Sequence, residues 1–186
     1  MIRIVLLAVF SGLLIACDPD RSSNRHNSEL DFSTTDDAEI YFKNVRRPYY
    51  EHEDMPAAKL DIYRLKQRSQ TNDYPVLNLA IAHNWRHDEA YLLIEPNAAV
   101  GSAPPLHIQW QSVQDSTKTG TYLWEERDKK AQLTFVGQIY TSLRNKHKLF
   151  LITNDSLAVP LLSKGNDREA FRRTVFDYYK LTGAFK

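Results

Sequence analysis

Imidazole, guanidinium and carboxylate groups gather in two short stretches of this chain. His83-Asn84-Trp85-Arg86-His87-Asp88 places two imidazoles and a carboxylate within six residues. Such groups bind zinc or move protons, but a metal site needs three or four converging ligands, and one segment alone guarantees none. His83 falls on the apolar side of an alternating pattern, so it is expected in the core with its polar atoms satisfied. Trp85 and Arg86 are expected in the loop of a hairpin, and both residue types are enriched at binding hot spots. The second stretch is Arg46-Arg47-Pro48-Tyr49-Tyr50-Glu51-His52-Glu53-Asp54. A guanidinium forks onto anions and stacks on aromatic rings. Arg46, Arg47 and Tyr49 therefore join Trp85 and Arg86 as a candidate recognition surface, although the adjacent acids can neutralise the same arginines.

Other chemistry finds little footing. Glu125 and Glu126 are paired carboxylates, but neighbours on a strand point to opposite faces and cannot flank one scissile bond. No GxSxG elbow, P-loop, GxGxxG, HExxH or EF-hand pattern occurs. No catalytic residue, metal ligand or cofactor is expected from local motifs.

The N-terminus carries a stronger pattern. Arg3 precedes an apolar run from Ile4 to Ala16, the charged and hydrophobic regions of an export signal. About 13 residues of helix reach only roughly 20 Å, short of a hydrocarbon core near 30 Å. The run ends in Leu14-Ile15-Ala16-Cys17. This resembles the lipobox of bacterial lipoproteins, with a Leu three before the Cys and a small residue just before it. The resemblance covers Met1 to Cys17 only. It implies cleavage before Cys17, lipid on its thiol, and anchoring to a membrane of the bacterial cell envelope. Cys17 is the only cysteine, so a body without thiols follows once it is lipidated. Several acyl chains would make attachment nearly permanent, because each buried methylene contributes about 0.8 kcal/mol. Asp18, just after the Cys, resembles an inner-membrane retention signal in enteric bacteria and a surface-export signal in Bacteroidota. Inner membrane, outer membrane and cell surface therefore all stay open.

The chain has 186 residues, with 24 basic and 23 acidic side chains. Removing residues 1–16 takes away Arg3 alone and leaves 23 against 23. That balance argues against nonspecific nucleic-acid binding, which needs excess Lys and Arg. Basic residues cluster locally at Arg46-Arg47 and at Arg144-Lys146-Lys148, each read as a solvated face.

These groups must be held by a body that begins after a polar tether, residues 17–32. Residues 33–186 fit one domain. Ser33 to Asp37 offers helix-capping oxygens, and Ala38, Tyr41, Phe42 and Val45 follow at helical spacing, ending before Pro48. Residues 49–55 read as a connector. Alternation predicts strands at 60–63, 76–83, 89–95, 106–111 and 119–125. Leu77, Leu79, Ile81 and His83 share one face, against Asn78 and the alanines. Residues 128–146 fit a helix behind an acidic cap, with Leu133, Val136, Ile139 and Leu143 as its stripe. Residues 148–153 and 156–162 predict a hairpin around Asn154-Asp155. A last helix is expected with Asn166 as cap, Glu169 three residues on, Phe171, Val175 and Tyr178 buried, and Gly183 as its stop. The expected class is α+β, a mainly antiparallel sheet flanked by about three helices.

Two functions are compatible with this reading. The first is a lipid-anchored, non-enzymatic module that binds a protein or small ligand in the envelope. The second is an envelope hydrolase whose site assembles several of His52, His83, His87, Glu53 and Asp88 in one deep pocket.

Overall fold

The computed structural model describes residues 32–101, 104–153 and 155–184. Cys17, the apolar run and nearly all of the tether lie outside the described residues. Among the described residues no helix is long and apolar enough to cross a membrane.

Thr35 opens the first helix, α1 (Asp36–Tyr41), its hydroxyl accepting the Ala38 N–H at 3.3 Å. Asp36 and Asp37 in the first turn suit the positive end of the helix dipole. The helix then widens into a π turn, Phe42–Arg46, and tightens into a 3-10 turn, Arg47–Tyr49. The widened turn changes which side chains face inward. Phe42 alone is buried, at 5.6 Å from the Tyr50 ring and 5.1 Å from the Tyr63 ring. Tyr41 and Val45, expected in the buried stripe, stay about half exposed.

The residues read as a connector form a strand, β1 (Tyr50–Met55). It pairs antiparallel with β2 (Leu60–Leu65), from Tyr50↔Leu65 to Met55↔Leu60. Its polarity hid it, because an edge strand needs few apolar side chains. Only Tyr50 of β1 is buried. Glu51 and Glu53 instead pair with Arg68 and Arg64, at 2.7 and 2.6 Å. β3 (Leu77–Asn84) and β4 (Glu89–Pro96) complete a first sheet in the order β1-β2-β3-β4.

The expected single sheet is in fact two. β5 (Leu106–Gln111), β6 (Thr119–Trp124), β7 (Lys148–Ile152) and β8 (Ala158–Leu161) form a second sheet in the order β6-β5-β7-β8. Every pairing in both is antiparallel. Between β4 and β5 lie Gly101, in the left-handed region at φ 94°, and Pro104-Pro105, which lack N–H donors for a ladder. In the β7–β8 turn Ser156 is left-handed, at φ 60°, and Asp155 is not, while Asn154 lies outside the described residues.

α2 (Lys129–Arg144) starts at Asp128, whose carboxylate accepts the N–H groups of Lys130 and Ala131. It serves both sheets. Gln132 accepts the Ile94 N–H at 2.9 Å and so caps the open edge of β4. Phe135 stacks on Trp124, and Ser142 meets the Tyr122 hydroxyl at 2.9 Å. α3 (Gly165–Leu181) packs on β3, β4 and α2. Its N-cap is Lys164, with no side-chain bond, so Asn166 does not cap it as expected. The helix begins one residue before Asn166, which places that side chain inside the first turn. Phe171, Val175 and Tyr178 are buried, and Gly183 follows the helix end at φ 64°. One buried cluster draws on both sheets, α2, α3 and Phe42 of the π turn.

Candidate functional site

The most exposed run of large apolar side chains follows α1. Ile40 is 57% exposed, Tyr41 45%, Val45 47% and Tyr49 49%. Tyr41 and Val45 lie about one turn apart where the α-helix passes into the π turn, and Tyr49 follows four residues on at the end of the 3-10 turn. Contiguous exposed apolar area with a polar rim is uncommon on a monomer and marks interaction sites. Lys43, Asn44 and Arg47 supply the rim.

The ridge is rigidly mounted. Asp177 on α3 is buried, and the Arg46 guanidinium forks onto it at 2.8 and 2.9 Å. The Tyr50 hydroxyl donates to the same carboxylate at 2.7 Å. Burial, the Asp177 charge and this bond push the Tyr50 hydroxyl well above its ordinary pKa. The Arg46 guanidinium also lies 5.0 Å from the Tyr49 ring centre. Arg46 therefore uses its fork inside the protein and supports Tyr49 from below, rather than offering that fork to a ligand. Arg47 meets His52 Nδ1 at 3.2 Å.

Trp85 and Arg86 are exposed in the β3–β4 turn, with Lys59 Nζ 5.3 Å from the Trp85 ring centre. That turn lies beside the β1–β2 turn, since Leu60 pairs with Asn84. Tyr49 precedes the opposite end of β1. The length of β1, about 17 Å at 3.3–3.4 Å per residue, separates the two groups. The structure thus divides the five candidate residues between opposite ends of the first sheet.

The histidines do not share one pocket. His83 is buried as expected and meets Glu39 at 2.8 Å. Burial alone would raise the Glu39 pKa, but bonds from Lys43 and Thr34 and the His83 charge hold it down to about 2. His52 pairs with Asp61 at 2.7 Å and stacks on Tyr63. Glu53 pairs with Arg64, while His87 and Asp88 stand exposed in a turn. Among the described residues no three His, Cys, Asp or Glu side chains are grouped to hold a metal ion.

Sequence reasoning missed Ile40, Tyr41 and Val45 as surface residues. The only available signal was Pro48, which forces the helix to end and leaves little length to bury two faces.

The geometry defines an α+β protein of two antiparallel sheets joined by a shared helix, with an aromatic ridge on one flank. No family model, curated protein or solved structure matches the chain.

Proposed function

We propose that this chain is a lipid-anchored binding protein of the bacterial cell envelope, attached through Cys17, that engages a partner protein with the ridge of Ile40, Tyr41, Val45 and Tyr49. The observation that carries the binding half is the ridge itself. Four large apolar side chains stay about half exposed. The Asp177–Arg46 fork ties the segment that carries them to α3. Support for the anchor is the pattern of Arg3, the apolar run and Leu14-Ile15-Ala16-Cys17. Separate partners for His52 and His83 favour binding over hydrolysis.

Two experiments test the two halves separately. Cells fed an alkyne fatty acid should label the wild-type chain and not Cys17→Ala, and equal labelling refutes the anchor. For the ridge, crosslinked wild-type chain solubilised in detergent is compared with a Tyr41→Ser, Val45→Ser, Tyr49→Ser triple variant. A partner band present with the first and lost with the second is expected. Surface changes of this kind shift stability by only about 0.5 kcal/mol each, so the variant should melt as a folded protein. Identical recovered sets would overturn the ridge reading.

A further inference from the structure

Each of the two sheets ends in two edge strands, and an uncovered edge offers a row of backbone N–H and C=O groups to any extended chain. Three of these edges are guarded. β1 carries Glu51, His52, Glu53 and Asp54 in succession, and charge on an edge strand deters pairing. β4 is covered. The Phe32 carbonyl accepts the Ala90 N–H at 2.8 Å, Gln132 takes the Ile94 N–H, and Leu92 between them is fully buried. β8 is only four residues long, and Pro160 brings no N–H to it. β6 has none of these protections. Its six residues, Thr-Gly-Thr-Tyr-Leu-Trp, include no charge and no proline, and Thr, Tyr and Trp favour strands.

Register sets which backbone groups of β6 face outward. The Ser112 N–H donates to the Lys118 carbonyl at 2.9 Å, one step beyond the Gln111↔Thr119 pair. Bonded and non-bonded pairs alternate along an antiparallel ladder. Gly120, Tyr122 and Trp124 therefore turn their backbone groups to β5, and Thr119, Thr121 and Leu123 turn theirs away from it. β6 ends its sheet, and among the described residues no strand pairs with that outer side. The side chains divide the same way. Tyr122 and Trp124 face α2, where they meet Ser142 and Phe135. Thr119, Thr121 and Leu123 lie on the opposite face, and all three are exposed.

We propose that β6 pairs antiparallel with β6 of a second copy of this chain, joining two four-stranded sheets into one of eight across a two-fold axis. Two identical antiparallel strands related by such an axis centre on a residue that faces itself. Thr121 is the middle one of the three outward-facing residues. A centre there lets all three exchange backbone bonds, Thr121 with Thr121 and Thr119 with Leu123. Side chains suit the same register. Edges that take foreign peptides add pockets for alternate side chains, whereas two threonines and a leucine form a flat row. Such a row is matched by its own reverse, with Thr121 against Thr121, a favourable cross-strand pair. Charge also selects this direction. A parallel copy would set Glu125 and Glu126 against their own counterparts, while the antiparallel one sets Glu125 across from Thr117 and Lys118 across from Trp124. Six residues a side is few beside the roughly 20–30 of a stable interface, so the dimer should be weak and concentration-dependent. The assignment depends neither on the ridge nor on lipid at Cys17.

The test uses the full chain in neutral detergent, with micelles in excess over chains. Sedimentation equilibrium and amide NMR follow it from about 5 μM to about 500 μM, the span in which a weak dimer forms. Dimerisation is expected within that range. The Thr119, Thr121 and Leu123 amides should shift and exchange more slowly as concentration rises, while those of Gly120 and Tyr122 hold steady. Thr121→Lys sets like charges face to face at the axis and should weaken the dimer about tenfold or more. Thr121 is exposed, so that variant should melt close to wild type. Gln109→Lys adds the same charge to the same face one strand inward, opposite Thr121, and should dimerise as wild type. A chain that stays monomeric throughout would overturn the proposal, as would a dimer that Thr121→Lys leaves intact. Slow exchange of all three outward amides in the monomer would also overturn it, because another segment of the same chain would then hold the edge.

Discussion

At the scale of single residues, Asp177 joins the ridge to the core. Its side chain is 1% exposed, and two of its three bonds come from a residue 131 positions away. Breaking a buried pair by removing one partner leaves the other charge stranded. Asp177→Ala should therefore cost about 3 kcal/mol, the low end for such pairs because Arg46 keeps some contact with water. Urea unfolding checks this, and a loss under about 1 kcal/mol would mean the fork contributes little. Glu39 makes a pH prediction. Its folded pKa of about 2 lies below the ordinary value near 4.5, so the unfolded chain binds more protons between those values. Its contribution to stability is whole above pH 4.5 and is lost as pH falls toward 2. Glu39→Gln should flatten that part of the stability–pH curve, and an unchanged slope would sink the assignment. His83 was legible as a core residue from alternation alone. Its partner was not, because Glu39 lies on a helix 44 residues earlier.

At the scale of elements, two contacts decide where the strands end and what sits beside them. Gln132 caps the Ile94 N–H at the edge of β4. Gln132→Leu keeps the bulk but orphans a buried donor, at a cost of about 1–3 kcal/mol. Amide exchange at Ile94 should quicken more than at neighbouring β4 positions. Gly120 holds the indole of Trp110, which cannot move aside without disturbing His147. Gly120→Ala should destabilise by about 1–3 kcal/mol and shift tryptophan fluorescence, as overpacking does. An unchanged spectrum would mean that the indole swings freely. Most strands and both long helices were readable, since period-two and period-3.6 patterns run through them. β1 was not, because the edge of a sheet hides its side-chain signal in backbone hydrogen bonds. Nor was the π turn, since nothing in its composition separates it from an α-helix.

At the scale of the whole molecule, α2 is shared by the two sheets, which should therefore unfold together. Asp177→Ala, on the flank of the first sheet, should lower the midpoint reported by fluorescence of Trp110 and Trp124 in the second. That midpoint should coincide with the one from far-ultraviolet circular dichroism. Two separated transitions would show that the sheets are independent. Sequence by itself determined the class of the body, because alternation, helical spacing and capping residues act over a few positions. It also carried the pattern ending at Cys17, which is local by nature. Tertiary structure alone decided that the strands divide into two sheets. It decided too that Arg46 turns inward to Asp177 while Tyr41 and Val45 turn out. Each of these depends on residues far apart in the chain, whose approach is set by the packing of a common core.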